Sequence, residues 1–232
     1  TWVEPLVSDN CAGVMLNGDH ASGDVFPLGM TMVIYMAVDS SGNMTMSTFT
    51  VTVSDIEAPL ISQMPTRVVL ENDAGVCAAV HLWNEPIVTD NCGGSTLTSD
   101  HSSGDSFEVG TTIVTYTATD SSGNSSSLTF SVTVNDTENP SISSIPANLT
   151  LSTEPGNCSA VANWSEPVGS DNCTTVGVSS DYNSGDSFPL GTTTVTYTVL
   201  DDSGNSAIRT FSVTVVDTGG AIALLARARH LR

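Results

Sequence analysis

The chain has 232 residues, and against a usual size of about 150 residues per domain this allows between one and three domains. It carries 25 acidic residues against five arginines and no lysine, for a formal charge of −20, while 39% of its residues are hydrophobic. That apolar content is ordinary for a folded protein and speaks against a disordered acidic tail. The near absence of cations excludes nucleic acid as a partner, because phosphate backbones are bound by Lys and Arg. The longest uninterrupted apolar stretch runs from Met32 to Val38, far short of the ~20 residues of a spanning helix, so no membrane span is expected. The sequence opens at Thr1 without a signal peptide and reads as a processed chain or an excerpt of a longer one.

Self-comparison decides the architecture. Trp2, Trp83 and Trp164 are spaced by 81 residues, and the same offset carries Glu4-Pro5 to Glu85-Pro86 and Glu166-Pro167. Asp9-Asn10-Cys11 recurs at Asp90-Asn91-Cys92 and Asp171-Asn172-Cys173, and Asp39, Gly42 and Asn43 recur at Asp120, Gly123 and Asn124 and at Asp201, Gly204 and Asn205. Three tandem modules follow, with bounds 1–57, 58–138 and 139–219 and a non-repeating basic tail at 220–232. The first lacks about 24 residues of the 81-residue unit.

Within module 2 the candidate strands, in chain order, are Arg67 to Leu70, Val76 to Trp83, Ile87 to Thr89, Ser95 to Ser99, Phe107 to Val109, Thr111 to Ala118 and Phe130 to Val134. Val114, Tyr116 and Ala118 alternate with threonines, as a half-buried antiparallel strand requires. Phe130, Val132 and Val134 repeat the pattern, and Asp120 to Asn124 between them reads as a hairpin loop in which Gly123 takes a positive φ. Seven short strands and no helix of consequence in about 80 residues predict an all-β fold of tandem immunoglobulin- or fibronectin-III-like β-sandwiches. Trp83 and Tyr116 are expected in its core rather than on a sugar-stacking face.

Five cysteines fall on the repeat. The expected pairs are Cys77 with Cys92 and Cys158 with Cys173, each closing a loop of about 15 residues inside one module. Cys11 is left unpaired, its mate expected before Thr1, with an intermolecular bridge as the other option. Paired cysteines imply an oxidising compartment, and the absence of CxxC pairs and nearby histidines argues against thiolate metal ligation.

These motifs, W-x-E-P, D-N-C, G-D-x-F-x-x-G, T-x-x-V-x-Y-x-x-x-D-x-S-G-N and F-x-V-x-V-x-D, resemble the hyalin repeat (HYR) module. The resemblance covers all but the last dozen residues. It implies an immunoglobulin-like fold in extracellular or cell-surface proteins with adhesion and matrix roles. The family often has a second cysteine pair where this sequence has Met64 and Leu128, so apolar packing is expected there instead.

If each strand reverses the chain, seven strands carry it from one pole of a module to the other, and a Cys77 to Cys92 bridge sets Asp90-Asn91 at the exit pole. The linker Asp136-Thr-Glu-Asn-Pro140 then brings Asp136 and Glu138 toward Asp201, Asn205 and Glu166, and Asp55 and Glu57 toward Asp120, Asn124 and Glu85. Carboxylates and amide oxygens converging without lysine suit calcium, whose shell takes about 6 to 8 oxygens. Calcium at the junctions is one expectation, and Asp and Asn that merely build turns are the other.

Catalysis is not expected. Gly104-Asp105-Ser106 and Gly185-Asp186-Ser187 resemble a GDSL-type nucleophile segment, yet the first copy reads Gly23-Asp24-Val25. His20 and His101 are in register but Tyr182 takes the third place, so no base recurs. Sequons begin at Asn43, Asn124, Asn135, Asn148, Asn157, Asn163 and Asn172, as a Ser/Thr-rich chain produces by chance.

The reading is an extracellular or cell-surface structural or adhesive segment, a rod or filament whose partners are other copies, further modules of a parent chain, or a cell-surface or matrix component. The competing reading is a passive spacer in a larger secreted enzyme or carbohydrate-binding protein. The tail is considered for strand addition onto the incomplete first module of a neighbouring subunit.

Overall fold

The computed structural model describes residues 1–219, and the basic tail and its proposed strand addition lie outside the described residues. Every regular element is a strand. The first module holds β1 (Met15–Gly18), β2 (Gly29–Val38) and β3 (Met44–Val53). The second holds β4 (Leu60–Ser62), β5 (Val68–Glu71), β6 (Ala78–Val80), β7 (Ile87–Thr89), β8 (Thr96–Ser99), β9 (Ser106–Glu108), β10 (Gly110–Thr119) and β11 (Ser125–Asn135). The third repeats these as β12 (Ser141–Ser143), β13 (Leu149–Ser152), β14 (Ser159–Val161), β15 (Val168–Ser170), β16 (Gly177–Ser180), β17 (Ser187–Pro189), β18 (Gly191–Leu200) and β19 (Ser206–Val216).

A complete module therefore has eight strands rather than the expected seven. The additional one, β4 or β12, is three residues long and follows Pro59 or Pro140, too short for a period of two to register. It pairs antiparallel with β7 or β15, Leu60 opposite Thr89 and Ser141 opposite Ser170. The main sheet has four strands in the order β5-β11-β10-β8 in module 2 and β13-β19-β18-β16 in module 3. Its first strand runs parallel to the last, Leu149 beside Val213.

The described residues divide into two compact units, 1–66, 83–103 and 113–130 in one and 67–82, 104–112 and 131–219 in the other, so the division passes through the middle module. The core follows the predicted alternation. Val114, Tyr116 and Ala118 are fully buried, as are their counterparts Val195, Tyr197 and Val199. In the third module Phe188, Phe211, Val213 and Val215 close over them. At about 25 cal/mol per Å² of apolar surface, these large side chains dominate the stability of so small a sandwich. Phe49, in register with Phe130 and Phe211, is 37% exposed against their 6% and 4%.

Candidate functional site at the module junctions

Two loops come together in the same way at the starts of modules 2 and 3, and a turn joins them at the start of module 3. The first is the hairpin between β10 and β11 or between β18 and β19. Asp201 Oδ1 accepts the backbone N–H of Ser203 and of Asn205 at 2.9 and 2.8 Å, and Asp201 Oδ2 accepts Asn205 Nδ2 at 2.8 Å. Gly204 sits at φ +94°, where an L side chain would be strained. Asn205 Nδ2 also donates to the carbonyl of Asp136 at 3.2 Å, tying the hairpin to the linker. Asn124 does the same to the carbonyl of Asp55 at 3.2 Å. Burial alone pushes the Asp120 and Asp201 carboxyls up, but the hydrogen bonds from the Asn side chain and the turn backbone outweigh it and hold both below the usual value.

The second part is the Asp-Asn-Cys loop. Leu60 pairs with Thr89, so Asp90, Asn91 and Cys92 follow a strand that ends beside the linker. Asp55, Asp90 and Cys92 present ligand atoms within 4.8 Å of one another, as do Asp136, Asp171 and Cys173. One oxygen each of Asp55, Asp90, Asp136 and Asp171, and Oδ1 of Asn172, are buried without a hydrogen-bond partner. The Cys92 thiol is pushed up by local desolvation, then by the charges of Asp55, Asp90 and Asp120.

The third part is a turn before β6. Asp73 N–H bonds the carbonyl of Ala78 and Val76 N–H that of Asp73, at 2.7 and 2.9 Å. It meets the linker and the third module: Glu138 Oε2 accepts Gly75 N–H at 2.7 Å, Asn172 Nδ2 donates to the Val76 carbonyl at 3.2 Å, and Cys77 is bonded to Cys173. The expected pairs Cys77 with Cys92 and Cys158 with Cys173 are therefore not formed, and Cys11, Cys92 and Cys158 are free thiols. The reason is visible in the third module. Cys158 lies in the turn that bonds the end of β19, through Thr153 N–H to Val216 O, whereas Cys173 lies beside Asp136 at the module's start.

The predicted metal set is thus split. Asp55 and Asp136 meet Asp90 and Asp171, which were not in that set. Asp120, Asn124, Asp201 and Asn205 use their polar atoms in the hairpin and the linker contact. Glu138 holds the Gly75 N–H, and Glu57 Oε2 accepts Asn91 Nδ2 at 2.9 Å. Glu85 and Glu166 belong elsewhere. Trp83 Nε1 donates to Tyr116 Oη at 2.7 Å, and Tyr116 Oη donates to Glu85 Oε2 at 2.6 Å. Trp164, Tyr197 and Glu166 repeat the chain at 2.5 and 2.7 Å, and Trp2, Tyr35 and Glu4 form it a third time. The recurrence of Glu two residues after each Trp was the available signal.

Four of the residues weighed for catalysis have local contacts. Asp24 and Asp186 accept the backbone N–H of Ala21 and Asn183 within their turns, both at 2.8 Å. His20 stacks on Phe26 with ring centroids 5.1 Å apart, and Tyr182 packs on Phe188 at 5.0 Å, so an aromatic body is what this position shares.

Among known families, residues 1–53, 54–134 and 135–215 each match the HYR domain. The chain belongs to the HYR domain family. Its HYR modules are 38% identical over 224 residues to hyalin of Lytechinus variegatus, a match covering 93% of this chain and 42% of that protein. Hyalin of Strongylocentrotus purpuratus is 36% identical over 228 residues, covering 94% and 19%. The Sushi, von Willebrand factor type A, EGF and pentraxin domain-containing protein 1 of Rattus norvegicus is 38% identical over 132 residues, covering 53% and 4%. The chain therefore spans less than half the length of either hyalin. A solved protocadherin gammaB7 structure aligns with 88% of the chain and 67% of its own at 14% identity and a TM-score of 0.36. Among the described residues, no helix is long and apolar enough to cross a membrane.

Proposed function

We propose that these HYR modules form an extracellular structural or adhesive segment, a rod or filament element that associates with further modules or copies and meets a cell-surface or matrix partner. The observation that carries this reading is the junction between modules 2 and 3. A disulfide, the Asn172 bond to the Val76 carbonyl and the Asn205 bond to the linker carbonyl cross it, and Glu138 of the linker holds the Gly75 N–H beside them. These ties fix one module on the next, as an array under tension needs and a catalyst does not. The disulfide and the similarity to hyalins both favour an oxidising, extracellular location.

Calcium is the finer part of the proposal. Buried, unpartnered oxygens of Asp136 and Asp171, with Asn172 Oδ1 beside them in sequence, are costly without a cation. Their oxygen chemistry fits a hard ion; the Cys173 sulfur, held in a disulfide, contributes no ligand. Calcium would neutralise the paired carboxylates and stiffen the junction. The test is thermal unfolding and small-angle scattering with millimolar calcium or with chelator. A melting temperature raised by calcium, with the rise lost in a D136N/D171N variant, supports the reading; no response to calcium or chelator in either measurement overturns it.

A second reading, a spacer within a mosaic protein, is favoured by the relative whose match covers 4% of its length. A spacer would show neither self-association nor binding to matrix-coated surfaces.

A further inference from the structure

The repeat sorts the five cysteines into two kinds. Cys77 and Cys158 each close a turn before a strand, whereas Cys11, Cys92 and Cys173 each close an Asp-Asn-Cys loop. The single bond present joins the turn of one module to the loop of the next. The three free thiols sit in copies of these same two structures.

The copies are built alike. In the Cys158 turn, Glu154 N–H bonds the carbonyl of Ser159 at 2.9 Å and Asn157 N–H that of Glu154 at 3.0 Å, matching the Asp73 and Val76 bonds of the Cys77 turn. Gly156 and Gly75 take φ of +81° and +73°. The Cys92 loop matches the Cys173 loop, with Cys92 N–H on Asp90 and Cys173 N–H on Asp171, both at 2.9 Å. One difference is informative. At the bonded junction, Glu138 and Asn172 hold the incoming turn by its Gly75 N–H and Val76 carbonyl. At Cys92, their counterparts Glu57 and Asn91 are bonded to each other at 2.9 Å. The two groups that would seat a turn are present and satisfy one another.

We propose that Cys92 and Cys11 are docking sites for the cysteine turn of another HYR module, and that Cys158 is the matching turn for another Asp-Asn-Cys loop. Every disulfide of the array then runs between consecutive modules and none within one. The partner is a turn carrying Gly-x-Cys, with its glycine N–H and the next carbonyl free to meet Glu57 and Asn91. Two thiols form one S–S bond, and their two electrons and two protons pass to oxidised glutathione, which leaves as two thiols.

The test oxidises the full chain in a glutathione buffer with excess peptide of residues 153–161, which contains the Cys158 turn, and maps the adducts by mass spectrometry. Capture at Cys92 is expected to exceed capture at Cys158 about tenfold, the size of two net hydrogen bonds, and capture at Cys11, which has Asn10 alone in this role, about threefold, the size of one. A peptide of scrambled order should show no preference. Glu57→Ala should lower capture at Cys92 about three- to fivefold, the size of one bond, and leave Cys11 as an unchanged internal control. Equal capture at all three thiols, no effect of Glu57→Ala, or bridges from Cys77 to Cys92 or from Cys158 to Cys173 would overturn the proposal. Oxidation without peptide identifies the source of the partner. Covalent dimers joining Cys158 to Cys11 or Cys92 place it on a second copy; a monomer that still captures the peptide places it on a further module of the same chain.

Discussion

Cys77 and Cys173 lie 96 residues apart in the chain and 4.6 Å apart at their Cα atoms, and the bond between them belongs to two modules rather than one. A loop of that length is costly to close in the unfolded chain, which is where a disulfide exerts most of its effect on the entropic account. Cys173→Ser should therefore lower stability by about 2–4 kcal/mol in chemical denaturation, whereas Cys92→Ser should stay within about 0.5 kcal/mol, the range of a surface change.

The Trp–Tyr–Glu chain is the second anchor. Tyr197 Oη accepts from Trp164 and donates to Glu166, so Tyr197→Phe leaves a partly buried indole N–H and a carboxylate without their partner. A loss of about 1–3 kcal/mol is expected, read by urea unfolding followed through tryptophan fluorescence.

At the hairpin, Asn205 serves both the turn and the linker. Asn205→Ala should cost about 1–2 kcal/mol, the value of two net hydrogen bonds. Gly204→Ala, at φ +94°, should cost about 1 kcal/mol through strain alone and leave the linker contact intact. Hydrogen exchange of the Asp136–Pro140 linker separates the two: faster exchange in the asparagine variant and unchanged exchange in the glycine variant.

Acid sensitivity follows from Asp120 and Asp201. Their folded-state values are depressed, because hydrogen bonds to the charged form outweigh burial. Their contribution is present above the ordinary unfolded value of about 3.9 and is lost as pH falls through the lower folded value. Melting temperature should decline below about pH 4, and the decline should be shallower in Asp201→Asn.

The sandwich was legible because burial imposes a period of two: Val114, Tyr116 and Ala118 could be assigned to the core from their threonine neighbours. β4 was not, since three residues after a proline carry no period. The cysteine pairing was illegible for a deeper reason. Cys92 and Cys173 differ by one whole repeat, so a bond from Cys77 to either fits the same register, and only the direction of β7 toward the linker separates them. Assuming that every connection reverses the chain put the Asp-Asn-Cys loop at the wrong end of its module. It also drew Glu85 and Glu166 into the metal set, when Tyr116 and Tyr197 already held them. The same assumption kept Asp90 and Asp171 apart from Asp55 and Asp136, beside which the structure places them.

The central claim is that consecutive modules are joined turn to loop. Alkylating the free thiols of the oxidised chain, cleaving it without reduction and identifying the peptide linked to Cys77 tests this directly. The account predicts the Cys173 peptide, with Cys92 alkylated; a Cys77 peptide linked to Cys92 would contradict it.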